Sequence, residues 1–439
     1  MPSESRSASP VPSESRNAGP VIDFGSARIR RYNRIRHWKD RIAGYAIGAG
    51  GVAVLASILL IFLYLLYEVA PMFMPASVKE EAIYALPAGA GQETLYLSVE
   101  EQNEIGLRVT RTGQFLFFNV RDGSANQAVQ LPLAPGVAIS SFAIDSEESR
   151  YMVFGLSNGS AIIARHQYRT AYPEGKRVIT PWIEYPYGEQ PLPLSAKGSA
   201  LRQISLRQAG ERVVVIANDG TGLAGIELAI EESFDGERSV ETSALALPAI
   251  AGTDIRQILI DLSQQWIFVL QGGKTLHVID NRNGTTEQIA LPLPVQEIRF
   301  LLGGISLLVA SRDGTVSQWF MVRDENGNSR LTQIRQFEAR ARNGLAMAME
   351  PRRKGFATVS DTGYVELFHA TAEHRVYRKK FFEQKPVQAA FSPRANKLLV
   401  LTSDDRLHVL QVDNRYPEVS LTALWGNCLL YTSPSPRDS

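Results

Sequence analysis

VASRDGTVSQW, Val309 to Trp319, is an apolar run, a tight polar turn at Asp313-Gly314 and an alternating strand. An Asp-Gly pair between two such runs marks a β-hairpin, a turn in which both central positions are expected at φ > 0. One hairpin decides little, but the unit recurs. VTRTGQFLFFN turns at Gly113, GLSNGSAIIA at Asn158-Gly159 and IANDGTGLAGI at Asp219-Gly220. VLQGGKTLHVI turns at Gly272-Gly273, TVSDTGYVELF at Thr362-Gly363 and VLTSDDRLHVL at Asp404-Asp405. The turns are spaced by about 41 to 61 residues, and a four-stranded propeller blade takes roughly 40 to 45 residues in WD40-type repeats. Seven units after residue 79 therefore predict a mainly β chain: a degenerate seven-bladed β-propeller over 79–420, without the WD dipeptide. A blade is apolar on both faces and needs a neighbour on each side, so the units are expected to close into a ring. Stacked β-sandwiches are the competing architecture.

Upstream the pattern changes. Residues 1–27 are rich in Ser, Pro, Gly and Ala, with PSESR repeated at Pro2–Arg6 and Pro12–Arg16; such a segment buries too little apolar surface to fold and reads as a disordered tail. The segment 28–41 carries Arg28, Arg30, Arg31, Arg34, Arg36, Lys39 and Arg41 against the single acid Asp40. From Ile42 to Tyr67 no residue is charged. As a helix that stretch is about 39 Å long, against about 30 Å for a bilayer core, so 42–69 reads as an uncleaved transmembrane helix, ended by Pro71 and Pro75. The basic flank places the N-terminus in the cytoplasm and the chain beyond the helix outside. It is a topology signal that meets anionic lipid, and no nucleic-acid partner is expected. Gly44, Gly48 and Gly51 share one helix face, where small residues let a second helix approach.

The composition excludes several functions. Lys plus Arg number 46 and Asp plus Glu 45, a net charge of +1, so no global field favours nucleic acid. The single cysteine, Cys428, allows neither an internal disulfide nor a Cys-ligated metal site. Within the β region GGKT at Gly272–Thr275 lacks the first glycine of a phosphate-binding loop, since Phe268 stands there, and it leads into a strand. DENGNS at Asp324–Ser329 resembles the start of a calcium loop, but Ser329 replaces the required Gly and Arg335 the bidentate Glu. His369 and His374 lack a third ligand of suitable spacing. Acidic pairs such as Glu231-Glu232 are read as loop surface. No nucleophile elbow is present. The expectation is a binding or docking module, not an enzyme, with no cofactor and no metal.

Two segments carry a family resemblance: DRIAGYAIGAGGVAVLASILLIFLYLLYEVAPMF followed by PAS, and NRYPEVSLTALWG at Asn414–Gly426. Together with the β repeat between them they resemble the long form of the phosphate ABC-transporter permease of Gram-negative bacteria, over about residues 28–426. The resemblance implies an inner-membrane subunit whose large periplasmic insertion precedes the helices that conduct phosphate. It also implies three partners: a second permease subunit, a cytoplasmic ATPase subunit and a periplasmic phosphate-binding protein. On this reading 421–427 begins the link to the transport helices, which the chain lacks. The stretch 428–439 (CLLYTSPSPRDS) reads as a translated adapter joined to a broken frame, so the native sequence is expected to end near Gly426 or Asn427. The alternative is a singly anchored periplasmic propeller that scaffolds other proteins without a transport role.

Overall fold

The computed structural model describes residues 27–70, 75–87, 92–232, 238–250, 254–323, 327 and 329–414. The N-terminal tail before residue 27, Pro71, the 421–427 link and the 428–439 stretch lie outside them. The chain divides into two compact units, 1–72 and 73–439.

The first unit is one helix, α1, Ala27–Val69. At 43 residues it is about 65 Å long, because the helix runs through the basic segment and does not begin at Ile42. It is long and apolar enough to cross a membrane. Its apolar side chains, among them Leu55, Leu60 and Phe62, are exposed.

The second unit is a seven-bladed β-propeller: seven sheets, each a run of consecutive antiparallel strands. Blade 1 holds Thr94–Val99, Ile105–Thr110, Gln114–Asn119 and Ala125–Gln130. Blade 2 holds Ile139–Ile144, Tyr151–Leu156, Ser160–Ala171 and Val178–Glu184, with the short Leu192–Pro193 also paired to its third strand. Blade 3 holds Gln203–Ala209, Arg212–Asn218, Leu223–Glu232 and Arg238–Leu245. Blade 4 holds Ile255–Ile260, Trp266–Gln271, Thr275–Asp280 and Thr286–Ala290. Blade 5 holds Val295–Phe300, Ser306–Ser311, Thr315–Arg323 and Ser329–Glu338. Blade 6 holds Leu345–Met349, Gly355–Ser360, Tyr364–His369 and His374–Lys380. Blade 7 holds Pro386–Phe391, Lys397–Thr402 and Arg406–Asp413, and takes its fourth strand, Ser77–Ala85, from the start of the domain. This arrangement excludes stacked sandwiches.

All seven sequence turns are the hairpin between the second and third strands of a blade; Gly272-Gly273 has positive φ at both positions, as expected, and the other turns differ. In Asn158-Gly159, Asp219-Gly220, Asp313-Gly314 and Thr362-Gly363 only the glycine has positive φ, and in Asp404-Asp405 only Asp405 does. The loops are mostly three residues long, a type I turn closed by one left-handed residue. Thus Gly314 N–H donates to the Ser311 carbonyl at 3.2 Å, and Gly363 N–H to Ser360 at 2.9 Å. The acid at the middle position accepts from the backbone two residues on, as Asp313 Oδ1 does from Thr315 N–H at 3.0 Å, which is why Asp and Asn recur there. Gly363 (φ +82°) has a second constraint, since a Cβ there would overlap the Phe382 carbonyl. GGKT is the hairpin of blade 4, with both glycines left-handed. Glu231-Glu232 is corrected: the pair ends the third strand of blade 3, opposite Ser239 and Arg238.

The core is divided among the blade interfaces, one apolar cluster to each. Phe115, Phe117 and Phe154 fill the seam between blades 1 and 2, and Val153, Leu206 and Val215 that between 2 and 3. The series continues around the ring to Leu97, Phe118, Leu399 and Val409 between blades 7 and 1. Full burial of one such side chain contributes about 1.5–3 kcal/mol.

The strand Ser77–Ala85 closes the ring. It pairs antiparallel with Arg406–Asp413, from Ser77 opposite Asp413 to Ala85 opposite Arg406, with a bulge between Glu80 and Ala82. Its side chains add an ion pair between Lys397 Nζ and Glu81 at 2.7 Å and a contact of Glu80 Oε1 with His408 Nδ1 at 2.8 Å. Beyond this strand stands Arg108, fully buried. Its guanidinium donates to Thr94 Oγ1 at 2.9 Å and to the carbonyls of Pro87 and Gln92 at 2.9 and 2.7 Å.

His166, on the third strand of blade 2, is buried beside the rings of Tyr96 and Tyr168 at 6.0 and 5.6 Å, and neither ring nitrogen has a hydrogen-bond partner. Burial first, then the positive charges of Arg150 and Arg165, push its pKa down to about 3.

A soluble fragment 75–414 should melt cooperatively, whereas 87–414, which lacks the closing strand, should melt at least 10 °C lower or fail to fold by circular dichroism; equal melting would refute closure. His166 stays neutral in the fold but protonates near 6.5 when unfolded, so its stabilising share is full above that pH and is lost as pH falls toward 3. Between pH 7 and 4.5 the fragment should lose about 2.5 kcal/mol more urea stability than its His166→Phe variant.

Candidate docking site at the channel wall

The first strand of each blade is the innermost, and its starting end is tied to the blade's recurrent turn by one backbone hydrogen bond. Arg111 N–H donates to Glu93 at 2.9 Å, Ser157 to Ala138 at 2.9 Å, Asp361 to Gly344 at 2.9 Å and Ser403 to Lys385 at 2.9 Å. Blades 4 and 5 repeat the bond through Gly272 and Arg312, and in blade 3 Arg202 N–H donates to the Asn218 carbonyl. All seven turns and the starts of the inner strands therefore lie on one face of the ring. The chain enters at Ser77 and leaves at Asp413 on the other face, because the third strand of blade 7 begins at its turn and ends at Asp413.

A cavity of about 260 Å³ opens among the inner strands of blades 5, 6 and 7 at the turn-face end. Its polar lining comes from Gln296, Glu297 and Arg299 of blade 5, Asp361 of the blade 6 turn, and Lys385 and Gln388 of blade 7; Leu345, Ala346, Val387 and Ala389 supply the apolar part.

The acids on this wall are already engaged. Glu297 Oε1 accepts from Met347 N–H at 3.0 Å and Oε2 from Arg299 Nε at 2.8 Å. Asp361 accepts from the N–H groups of Arg342 and Asn343, both at 2.9 Å. Gln296 makes a two-point clamp on Leu345 of the next blade, donating to its carbonyl at 2.7 Å and accepting its N–H at 3.0 Å. The position of Glu297 is periodic. It comes just after the bulge of the inner strand, as do Gln257 in blade 4 and Gln388 in blade 7. Gln257 reaches the next blade, accepting from Ile298 N–H at 2.8 Å, and Glu297 reaches Met347. Gln388 Oε1 is buried and has no partner.

The cations are less fully engaged. Arg299 is 42% exposed and uses only Nε on Glu297. Lys385 is exposed, and no hydrogen bond or ion pair joins its ammonium to another described residue. The Glu297 carboxylate stabilises the Arg299 cation, and Glu147 and Tyr96 also face it. Glu147 accepts from Tyr96 O–H at 2.6 Å and Ser98 O–H at 3.1 Å, and burial raises its carboxyl pKa above the usual range. The wall can therefore hold an anion and accept one N–H.

None of the residues singled out in the sequence lines this cavity. Gly44, Gly48 and Gly51 lie on α1, where a Cβ at any of them would meet nothing. Arg31, Arg34, Arg36, Lys39 and Arg41 are exposed on the same helix, and Arg28 and Arg30 belong to its first turns. His369 and His374 face each other across the last hairpin of blade 6. Among the described residues no three His, Cys, Asp or Glu side chains could together hold a metal ion. Arg299 and Lys385 are 86 residues apart in sequence, and only ring closure brings both to one cavity. The faint sequence signal is the repeated PVQ at Pro294–Gln296 and Pro386–Gln388.

No protein-family model matches the chain, and no curated protein does. Solved structures do match. One is the β-propeller domain of Cps50 (Swd1) from Myceliophteria thermophila, at 12% identity and a TM-score of 0.49, covering 75% of this chain and 99% of that one.

Proposed function

We propose that this protein is a membrane-anchored docking module without enzymatic activity, whose propeller presents its turn face to a partner protein. The observation that carries this reading is the placement of the chain connections. Ser77 and Asp413 are register partners at one edge of blade 7, so the two described ends of the propeller lie together on the face opposite the cavity. Loops set on a rigid scaffold suit recognition, and the interface would be of the transient kind, below about 1,200 Å².

The finer proposal rests on the sequence resemblance: a subunit of a phosphate-importing ABC permease in a bacterial inner membrane, N-terminus cytoplasmic and propeller periplasmic. The docked partner would then be the periplasmic phosphate-binding protein, with a second permease subunit packed on the Gly44, Gly48 and Gly51 face and the ATPase subunit in the cytoplasm. Side-by-side chain ends are what a domain inserted between membrane segments requires, which supports this setting.

Alkaline phosphatase fused after Ser77 should be active in a Gram-negative host; an inactive fusion, with an active cytoplasmic reporter at the same joint, would reverse the topology. In calorimetry the purified protein should bind the phosphate-binding protein of its own organism with micromolar affinity, and charge reversal on the turn face, Arg312→Glu, should weaken this more than Arg353→Glu on the opposite face. No binding at either low or high salt would leave the scaffold alternative.

A further inference from the structure

The cavity among blades 5, 6 and 7 is lined by two carboxylates and two cations, but the hydrogen-bonding edges they leave open differ. Its carboxylates, Glu297 and Asp361, are spent on backbone N–H groups and on Arg299 Nε. What remains is the outer edge of the Arg299 guanidinium, the Lys385 ammonium, and one acceptor, Gln388 Oε1, which is buried without a partner. An Arg fork matches a carboxylate at two points, and a lone amide acceptor matches a backbone N–H. The rest of the lining is apolar, with Val387 55% exposed.

From this juxtaposition we infer that the cavity is a binding site for an acidic side chain carried on an extended peptide segment of the docking partner. The carboxylate pairs with Arg299 and Lys385, the neighbouring backbone N–H donates to Gln388 Oε1, and the aliphatic part of the segment covers Val387. Free phosphate fits less well. It satisfies the two cations, and its O–H could reach Gln388, but it leaves the apolar wall uncovered. The negative charge facing Arg299 from blade 2 is Glu147, whose carboxyl is held by Tyr96 and Ser98, so it does not occupy the guanidinium edge.

This inference deepens the docking reading and rests on it, but its test does not use the proposed partner. The full chain, purified in detergent, is titrated into a fluorescein-labelled short peptide alternating Glu and Ser, and separately into the same peptide with Gln for Glu. Fluorescence anisotropy should show at least about tenfold tighter binding of the Glu peptide, each 1.4 kcal/mol being a factor of ten. Lys385→Glu, an exposed position, should abolish that preference without changing the melting temperature. Arg299→Ala should do the same, and Arg299→Lys should restore part of it. Arg212→Ala, far from the cavity in blade 3, should leave it intact. Equal binding of the two peptides, an unchanged preference in Lys385→Glu, or full displacement of the Glu peptide by low-millimolar inorganic phosphate at constant ionic strength would each overturn the assignment. Acidic-peptide binding without binding of the phosphate-binding protein would keep this site and discard that partner.

Discussion

Each blade of this propeller is apolar on both faces, and no blade can bury both faces alone. That single constraint organises the domain. A strand such as Tyr151–Leu156 is buried at every position, its alternate side chains filling two different seams: Met152 and Phe154 pack toward blade 1, Tyr151 and Val153 toward blade 3. The hydrophobic gain is therefore shared between neighbours, and an open array would leave two apolar faces in water. Closure removes both, and the strand Ser77–Ala85 makes it a matter of hydrogen-bond register as well as of packing.

Apolar seams do not by themselves fix how one blade is set against the next, because dispersion is not directional. The polar contacts between blades supply direction. Gln257 and Gln296 each engage a backbone N–H and a carbonyl of the following blade, and Arg207 donates to the Ile260 carbonyl at 3.0 Å while pairing with Asp145 at 2.9 Å. A buried amide left unmatched costs about 1–3 kcal/mol, so each contact penalises a slipped seam. Gln388 departs from this series, since its acceptor has no partner, and it lies in the cavity wall.

The two apolar patterns in the chain differ in kind. The propeller's strands alternate and pack on protein. Helix α1 has one continuous apolar stretch, with Leu55, Leu60 and Phe62 all exposed in the isolated chain. A helix satisfies its backbone hydrogen bonds internally, so it alone of the two patterns can meet hydrocarbon unaided.

The sequence by itself determined what depends on local chemistry. Seven Gly- or Asp-closed turns specified seven hairpins, because a left-handed residue after a type I turn selects glycine or a small acid within a few residues of chain. The charge-free stretch from Ile42 to Tyr67 specified a membrane-competent helix by length and composition alone. The fine conformation of the turns other than Gly272-Gly273 was missed because a dipeptide does not state loop length, and that is set by strand register. Tertiary structure decided the rest. That blade 7 borrows its fourth strand from residues 77–85 is a pairing across more than 320 residues, invisible to any local pattern. The cavity is of the same kind: Arg299, Asp361, Lys385 and Gln388 have ordinary sequence surroundings. What makes them a site is which of their hydrogen-bonding groups the closed ring consumes and which it leaves free.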